Sequence, residues 1–414
     1  MRGIAFEGGG ARGAYQVGVW KAFDELGMQF DGITGTSVGA INGALMIQGD
    51  LDKALTMWSE IDPAQIFASE NIQEEKPGLL DHLPGNLAGF MRIFHSSVQS
   101  KGIDITPLKE LLHEHISEER IRASGKDFGL VTVSVSDMTP KEVFLDEIPP
   151  GQLVDYIIAS SSLPVFQSQR VEGKRYLDGA FYDRLPINML LKKGYDEVIA
   201  VSIGGLGVRR RTRKTKAAIT YIEPAESLGN VLEFDTERIR YNIQLGYYDT
   251  LRVMKGYRGQ QYYVDLSLPD DYFVSLYSRL PEAAYLPLLT ALRFPDGGAT
   301  RRSLFEHLIP RVAKILKLTS DATYGDIQVA LLEWAAMQLE LPRFQIYAYS
   351  TLRDTILHSK VLVDHPSKSR LVRYLKKSDL LPRAKKDDIL RQFLSMMLKT
   401  EDALTTETSE IGRQ

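Results

Sequence analysis

The sequence contains no cysteine among its 414 residues. This absence excludes disulfide bonds, thiolate catalysis and metal sites built from thiolates, and it fits a reducing cellular interior. A nucleophilic side chain in this protein must therefore attack through an oxygen atom.

The charges show no excess of either sign, with 50 Lys and Arg against 53 Asp and Glu and a net charge of −3. Such a balance creates no global field for nucleic acid, so we expect no nucleic-acid partner. No apolar run approaches the roughly 18 to 20 residues that span a bilayer. Residues 1–8 also lack the features of a secretory leader. These absences predict a cytoplasmic protein whose contact with a membrane is peripheral.

The first half of the chain alternates short apolar strands with helical patterns. Strands are predicted at 4–6 and 32–34, and they are followed by helices at 11–26 and 38–47. Further strands are predicted at 128–135, 142–145, 174–177 and 198–203. Alternation of this kind predicts an α/β fold with a mainly parallel sheet.

Two parts of the chain differ from this pattern. Prolines and glycines break residues 62–101 into short amphipathic pieces, which is typical of a lid over a binding site. Past residue 268 the strand signals fade and helical patterns dominate. We therefore predict a catalytic domain over 1–267, with a lid-like insertion at about 62–101, and a mainly helical C-terminal region over 268–414.

A glycine-rich turn follows the first predicted strand and opens a helix. Its residues are Gly8, Gly9, Gly10, Ala11, Arg12 and Gly13. Backbone N–H groups without bulky side chains, at the positive end of a helix, form a site for an anion. The same residues match the G-x-G-x-x-G pattern of dinucleotide-binding oxidoreductases, which a single match supports only weakly.

The second strand leads into a different motif. Residues 35–39 read Gly-Thr-Ser-Val-Gly, the G-x-S-x-G nucleophile elbow, in which flanking glycines permit a strained turn that exposes the serine hydroxyl. Ser37 is therefore the candidate nucleophile, with Gly35 and Gly39 as the elbow glycines. The alternative is a glycine-rich turn whose serine only caps the following helix. A dinucleotide site would instead need an acidic residue after the second strand, whereas Asp31 precedes it.

A serine nucleophile needs a partner that accepts its proton, most often a histidine. None of the seven histidines follows a strand end in the first half of the chain; they are His82, His95, His113, His115, His307, His358 and His365. Asp178 is the better candidate, because it ends a predicted strand and begins the Asp-Gly-Ala turn with Gly179 and Ala180. Taken alone, this turn reads as an ordinary connection between strands.

The three motifs GGGARG, GTSVG and DGA, in this order, resemble those of the patatin-like phospholipases, over roughly residues 1–205. The resemblance implies a three-layer α/β/α fold with a mainly parallel sheet. It also implies a Ser-Asp dyad of Ser37 and Asp178, with an oxyanion hole formed by Gly8, Gly9, Gly10 and Ala11. The segment 159–166 resembles a serine-rich turn of the family, which we expect to shape the acyl pocket or the fold.

Arg12 matches an arginine of that family and has three open roles: binding the substrate phosphate, bracing the loop, or forming an ordinary salt bridge at the helix start. The basic run 209–216 is either a solvated loop or a contact for anionic lipid headgroups.

The sequence thus predicts a serine acyl hydrolase that cleaves acyl esters of phospholipids or other lipids through an acyl-enzyme, without a metal or a cofactor. Two alternatives remain at this point. One is a patatin-like effector that has little activity until a ligand or partner binds, and the other is a dinucleotide-binding oxidoreductase. The sequence does not determine the oligomeric state.

Overall fold

The protein is described from a computed structural model. The described residues are 1–62, 66, 104–164, 166, 170–171, 173–292, 294, 300–362 and 383–411. They divide into two compact units, Met1–Met254 and Lys255–Gln414. The insertion predicted at 62–101 lies outside the described residues, except for residues 62 and 66.

The first unit contains strands and helices in alternation. Its strands are β1 (Arg2–Phe6), β2 (Gly32–Thr36), β3 (Asp127–Ser134), β4 (Thr139–Phe144), β5 (Arg170–Val171), β6 (Lys174–Asp178), β7 (Glu197–Val201) and β8 (Ala218–Ile222). Its helices are α1 (Ala14–Glu25), α2 (Val38–Gln48), α3 (Leu51–Ser59), α4 (Thr106–His115), α5 (Glu118–Ala123), α6 (Leu153–Ser160), α7 (Ile187–Lys193) and α8 (Thr236–Lys255). The predicted elements of this half are confirmed, although the helix expected from residue 11 begins with a 3₁₀ turn at Gly10–Gly13.

The strands form one mixed sheet in the order β5-β6-β3-β2-β1-β7-β8, with β4 also paired to β3. Neighbouring strands are parallel along the segment β3-β2-β1-β7-β8 of the sheet, whereas β4 and β6 run antiparallel to β3. The α/β fold with a mainly parallel sheet is therefore confirmed. Because parallel strands are covered on both faces, β1 and β7 are almost wholly apolar and buried.

Helix α2 directly follows β2 and lies in the core, with ten of its eleven residues buried. It is built from small and apolar residues, which let it approach the sheet closely. Gly49 ends the helix in the left-handed conformation, with φ of 80°. The carboxyl end of β2 and the start of α2 are thereby held rigidly inside the unit.

The second unit is mainly helical. Its helices are α9 (Asp270–Ser278), α10 (Glu282–Ala291), α11 (Arg301–Ser303), α12 (Ile309–Ile315), α13 (Tyr324–Gln338), α14 (Tyr349–Leu357) and α15 (Arg383–Ile411), and the π-helical turn Leu304–Leu308 joins α11 to α12. Two short strands, β9 (Tyr263–Asp265) and β10 (Ile346–Ala348), pair in parallel. The two compact units adjoin after Met254, and the domain boundary predicted at 267/268 stays a prediction. The sequence assigns no role to this region.

Candidate active site

Ser37 occupies the turn between β2 and α2, with backbone φ of 55° and ψ of −128°. A positive φ is costly for a residue with a Cβ atom and is typical of a nucleophile elbow. The turn requires glycines on both sides: a Cβ on Gly35 would lie 2.2 Å from the carbonyl oxygen of Gly39. The Ser37 side chain makes no capping hydrogen bond to α2, so the alternative of a simple helix cap is not supported.

The register of the sheet brings Asp178 next to Ser37. On β3, Val131 pairs with Thr36, the last residue of β2. The next residue, Thr132, pairs with Asp178, the last residue of β6. β4 pairs with one edge of β3, so β2 and β6 both pair with the other edge. There β6 begins to pair with β3 where β2 ends. Asp178 therefore takes the place in the sheet that Ser37 would hold if β2 continued.

The Asp178 carboxyl is almost completely buried, at 1% exposure. Its Oδ1 accepts a hydrogen bond of 2.8 Å from the Ala180 N–H, while Oδ2 has no bonded partner among the described residues. Burial raises the pKa of Asp178 to about 6, against the lowering effects of the Ala180 N–H and of the neighbouring Ser37 hydroxyl. A carboxylate with this pKa can both accept and return a proton near neutral pH.

His113 and His115 lie on α4, and neither forms a hydrogen bond with Ser37 or Asp178 in the described part of the chain. Of the other five histidines, His82, His95 and His365 lie outside the described residues, and His307 and His358 belong to the second unit. Asp178 is thus the acidic or basic side chain that the described structure brings to Ser37.

The four backbone amides predicted for the oxyanion hole are not equivalent. The Gly8 N–H donates to the carbonyl of Arg184 at 2.9 Å, and the Ala11 N–H donates to that of Val231 at 2.8 Å. The amides of Gly9 and Gly10 form no such bond within the described chain. Gly10 has φ of 55°, and a Cβ there would lie 2.0 Å from the Val231 carbonyl oxygen. Two of the four amides therefore have no hydrogen-bond acceptor in the described chain.

An apolar cavity of about 70 Å³, part of it open to solvent, borders Ser37. Its other lining residues are Gly10, Val38, Ile41, Met57, Trp58, Ile61, Ile66, Leu108, Leu111, Leu112, Ser161, Leu163, Phe166, Leu232 and Phe234. Because its walls are almost entirely hydrocarbon, an alkyl chain is the ligand that they suit.

Comparison with known families agrees with these features. The model of the patatin-like phospholipase family matches residues 4–191, which include the glycine-rich turn, Ser37 and Asp178. Residues 4–191, somewhat less than half of the chain, are therefore similar to the patatin-like phospholipases.

Curated relatives of the patatin-like domain include fungal lysophospholipases. Lysophospholipase nte1 of Aspergillus terreus is 28% identical over 212 residues, which cover 49% of this chain and 12% of that protein. Lysophospholipase NTE1 of Mycosarcoma maydis is 27% identical over 208 residues, which cover 49% of this chain and 10% of that protein. The chain thus corresponds to a small part of the length of these relatives.

Two solved structures are similar to the chain. VipD from Legionella pneumophila has a TM-score of 0.39 and 12% identity, with 96% of this chain and 91% of that chain covered. The type III effector protein ExoU has a TM-score of 0.33 and 12% identity, with 98% of this chain and 77% of that chain covered.

Arg12 of the patatin-like domain binds backbone rather than a carboxylate. Its Nε donates to the carbonyl of Gly229 at 2.9 Å, and its Nη1 donates to the carbonyl of Gly204. These contacts join the glycine-rich turn to two loops that are distant in sequence. They favour the bracing role over a salt bridge at the helix start.

Glu7 precedes the glycine-rich turn and was not predicted as a site residue. Its fully buried carboxylate forms an ion pair of 2.9 Å with Arg184 and accepts hydrogen bonds from Ser202 Oγ and from the Ile203 and Gly205 N–H groups. The sequence signal that could have indicated Glu7 is a charged residue placed between an apolar strand and a run of glycines. Glu7 fixes the loop after β7 against the glycine-rich turn.

The basic run 209–216 lies in the loop between β7 and β8. Arg209 stacks on Tyr221, and Arg210 stacks on Tyr182 and forms a 3.0 Å ion pair with Glu142. Arg211, Arg213, Lys214, Thr215 and Lys216 are exposed. Contact with lipid headgroups stays a prediction for them. In the described part of the chain, none of the helices combines the length and apolar character that crossing a membrane requires.

Proposed function

We propose that the protein is a serine acyl hydrolase that cleaves acyl esters of phospholipids, with Ser37 as the nucleophile and Asp178 as its general base. One observation carries this proposal. The strained elbow presents Ser37 to an apolar cavity, beside a buried carboxyl whose pKa is raised to about 6. The lysophospholipase names of the curated relatives support a lipid ester as the substrate.

The first half of the reaction forms an acyl-enzyme. Ser37 Oγ attacks the ester carbonyl carbon while Asp178 accepts the hydroxyl proton. Its Oδ2 can do so because it accepts no other hydrogen bond in the described chain. As the tetrahedral intermediate collapses, the bond to the alcohol oxygen breaks and Asp178 returns the proton to that oxygen. The leaving group departs as an alcohol, and the acyl chain stays on Ser37.

The second half releases the fatty acid. Water gives a proton to Asp178 as its oxygen attacks the acyl carbon, and the proton then passes to Ser37 Oγ when the acyl bond breaks. In both halves the carbonyl oxygen carries negative charge. The amides of Gly9 and Gly10, at the start of the helical segment, are the donors that we propose for it, since those of Gly8 and Ala11 are already engaged.

Labelling with a fluorophosphonate tests the nucleophile directly, because the reagent forms a covalent bond with an activated serine oxygen. We expect stoichiometric phosphonylation of the full-length protein and a modified tryptic peptide that contains Ser37. Prior incubation with a long-chain ester should slow the labelling. Modification at another serine, or no reaction with the folded protein, would reject the proposal.

The apolar cavity predicts a preference for long acyl chains over short ones. This preference should become smaller when a larger side chain fills part of the cavity. Leu111 lies on the wall of the cavity and is partly exposed, so Leu111→Trp should fold while shortening the space. If two methylene groups lose their burial, about 1.6 kcal/mol or roughly tenfold in kcat/KM is lost. We therefore expect hydrolysis of a dodecanoyl ester to fall about tenfold relative to that of a butanoyl ester.

Glu110→Trp is the matched control for this variant, since Glu110 is the exposed neighbour of Leu111 and does not line the cavity. The chain-length profile of the control should match that of the wild type. An unchanged profile in Leu111→Trp would contradict the assignment of the cavity to the acyl chain.

A further inference from the structure

Three successive serines end helix α6, and only the first of them uses its hydroxyl outside the helix. Ser161 and Ser162 donate to carbonyls one turn earlier, those of Ile157 and Ile158. The Ser160 hydroxyl instead donates to the carbonyl of Val131 on β3 at 2.6 Å. It also accepts a hydrogen bond of 2.9 Å from the backbone N–H of Ser37.

The Ser37 N–H needs such a partner. It lies at the start of α2, where helix amides have no acceptor within the helix, and it is buried. The elbow turns the backbone to a positive φ at Ser37, and the backbone pairing of β2 with β3 ends at Thr36. The Ser37 N–H therefore does not bond to β3. An acceptor at position 160 therefore satisfies a buried donor at the nucleophile itself.

The same short segment also holds Asp178. The Asp178 N–H donates to the carbonyl of Ser162 at 2.8 Å. Val131, whose carbonyl accepts the hydrogen bond from Ser160, pairs with Thr36. The next residue on β3 pairs with Asp178. Residues 160–162 thus bind the backbone of both members of the proposed dyad. Through the Val131 carbonyl they also attach both members to the same part of β3.

We propose that Ser160 is a positioning residue that sets the Ser37 hydroxyl against the Asp178 carboxyl. This proposal rests on the proposed function. The Ser160 hydroxyl donates its hydrogen bond to the Val131 carbonyl and accepts one from the Ser37 N–H, and Ser160 does not line the cavity. Ser160 therefore exchanges no proton with the substrate, and it acts by fixing the backbone that carries Ser37.

Ser160→Ala tests this role in the full chain. Misplacement of a nucleophile by about 1 Å can cost roughly 100-fold in rate. We expect kcat for a chromogenic ester to fall about 10- to 100-fold while KM changes less than about twofold. The second-order rate constant of fluorophosphonate labelling should fall by the same factor, and the final labelled fraction should remain complete.

Ser160→Cys keeps the side-chain volume and replaces the hydroxyl by a weaker donor and acceptor. We expect a labelling rate between those of the wild type and Ser160→Ala. This variant carries the test if Ser160→Ala is insoluble. Full labelling at the wild-type rate in Ser160→Cys would then overturn the proposal.

Ser134→Ala is the matched control for loss of a buried serine hydroxyl. Ser134 lies at the end of β3, and its hydroxyl bonds only the nearby turn residue Asp137 among the described residues. Its kinetics should equal those of the wild type.

The results separate a positioning role from a merely structural one. A structural role lowers the melting temperature and the labelled fraction but leaves the rate constant of the labelled protein unchanged, and that outcome overturns the proposal. Failure of the proposed function looks different, because the probe would then modify a residue other than Ser37 in the wild type.

Discussion

Replacing Ser37 by alanine is expected to lower ester hydrolysis by at least about 10⁴-fold. The substitution removes the oxygen that forms the acyl-enzyme, and no other described hydroxyl at the cavity is available to replace it. Ser161 also lines the cavity, but it donates its proton to the carbonyl of Ile157. The measurement is release of fatty acid from a phospholipid and of the chromophore from an aryl ester.

Ser161→Ala is the control that shares the cavity and the chemical change. Its activity should stay within a few-fold of the wild type, and fluorophosphonate labelling of Ser37 should be preserved. Both variants should show a cooperative thermal transition, so that loss of activity is not loss of fold. Undiminished hydrolysis by Ser37→Ala would falsify the proposed mechanism.

Asp178→Asn is expected to lower hydrolysis by roughly 10³-fold or more, because an amide cannot accept the Ser37 proton. Volume and the hydrogen bond from Ala180 are retained by the substitution. The nucleophile should therefore stay in place but react slowly with a fluorophosphonate. Retention of wild-type hydrolysis in this variant would assign the base to another group.

The pH dependence follows from the pKa of Asp178. Only the ionised carboxyl accepts a proton, so kcat/KM of the wild type should rise with pH and reach half of its plateau near the pKa of about 6. The residual activity of Asp178→Asn should lack this step. A profile that is flat between about pH 5 and 7 in the wild type would contradict the assignment.

Stability should change in the opposite direction. The pKa of Asp178 is raised from 3.8 to about 6 by burial, so its proton stabilises the fold fully below pH 3.8 and this contribution is lost as pH rises through about 6. At pH 8 the wild type carries a buried charge that Asp178→Asn lacks. We expect the free energy of unfolding of the variant to exceed that of the wild type by on the order of 1 to 3 kcal/mol at pH 8, and by less at pH 5.

Asp183→Asn distinguishes a buried carboxyl from a catalytic one. Burial also raises the pKa of Asp183 to about 6, and its side chain accepts hydrogen bonds from the Leu185 and Arg210 amides rather than from the site. This variant should keep the pH step in kcat/KM. Loss of the step in Asp183→Asn alone would show that the profile reports Asp183 and not Asp178.

The sequence by itself determined the fold class, the resemblance to patatin-like phospholipases and the choice of candidate residues. These features are written in local patterns: apolar strands that end at glycines, and a G-x-S-x-G turn whose close backbone contacts exclude side chains at Gly35 and Gly39. The lack of cysteine and the unsuitable histidines pointed to an oxygen nucleophile and a carboxylate partner. The lid at 62–101 stays a prediction.

Only the tertiary structure decided how those residues meet. The pairing of Asp178 beside the end of β2, the engaged amides of Gly8 and Ala11, and the hydrogen bond from Ser37 to Ser160 all join positions far apart in the chain. Which donor finds which acceptor depends on strand register and on the packing of α6, and no local pattern encodes these. For this reason the sequence could name Ser37, whereas the structure was needed to show what holds it.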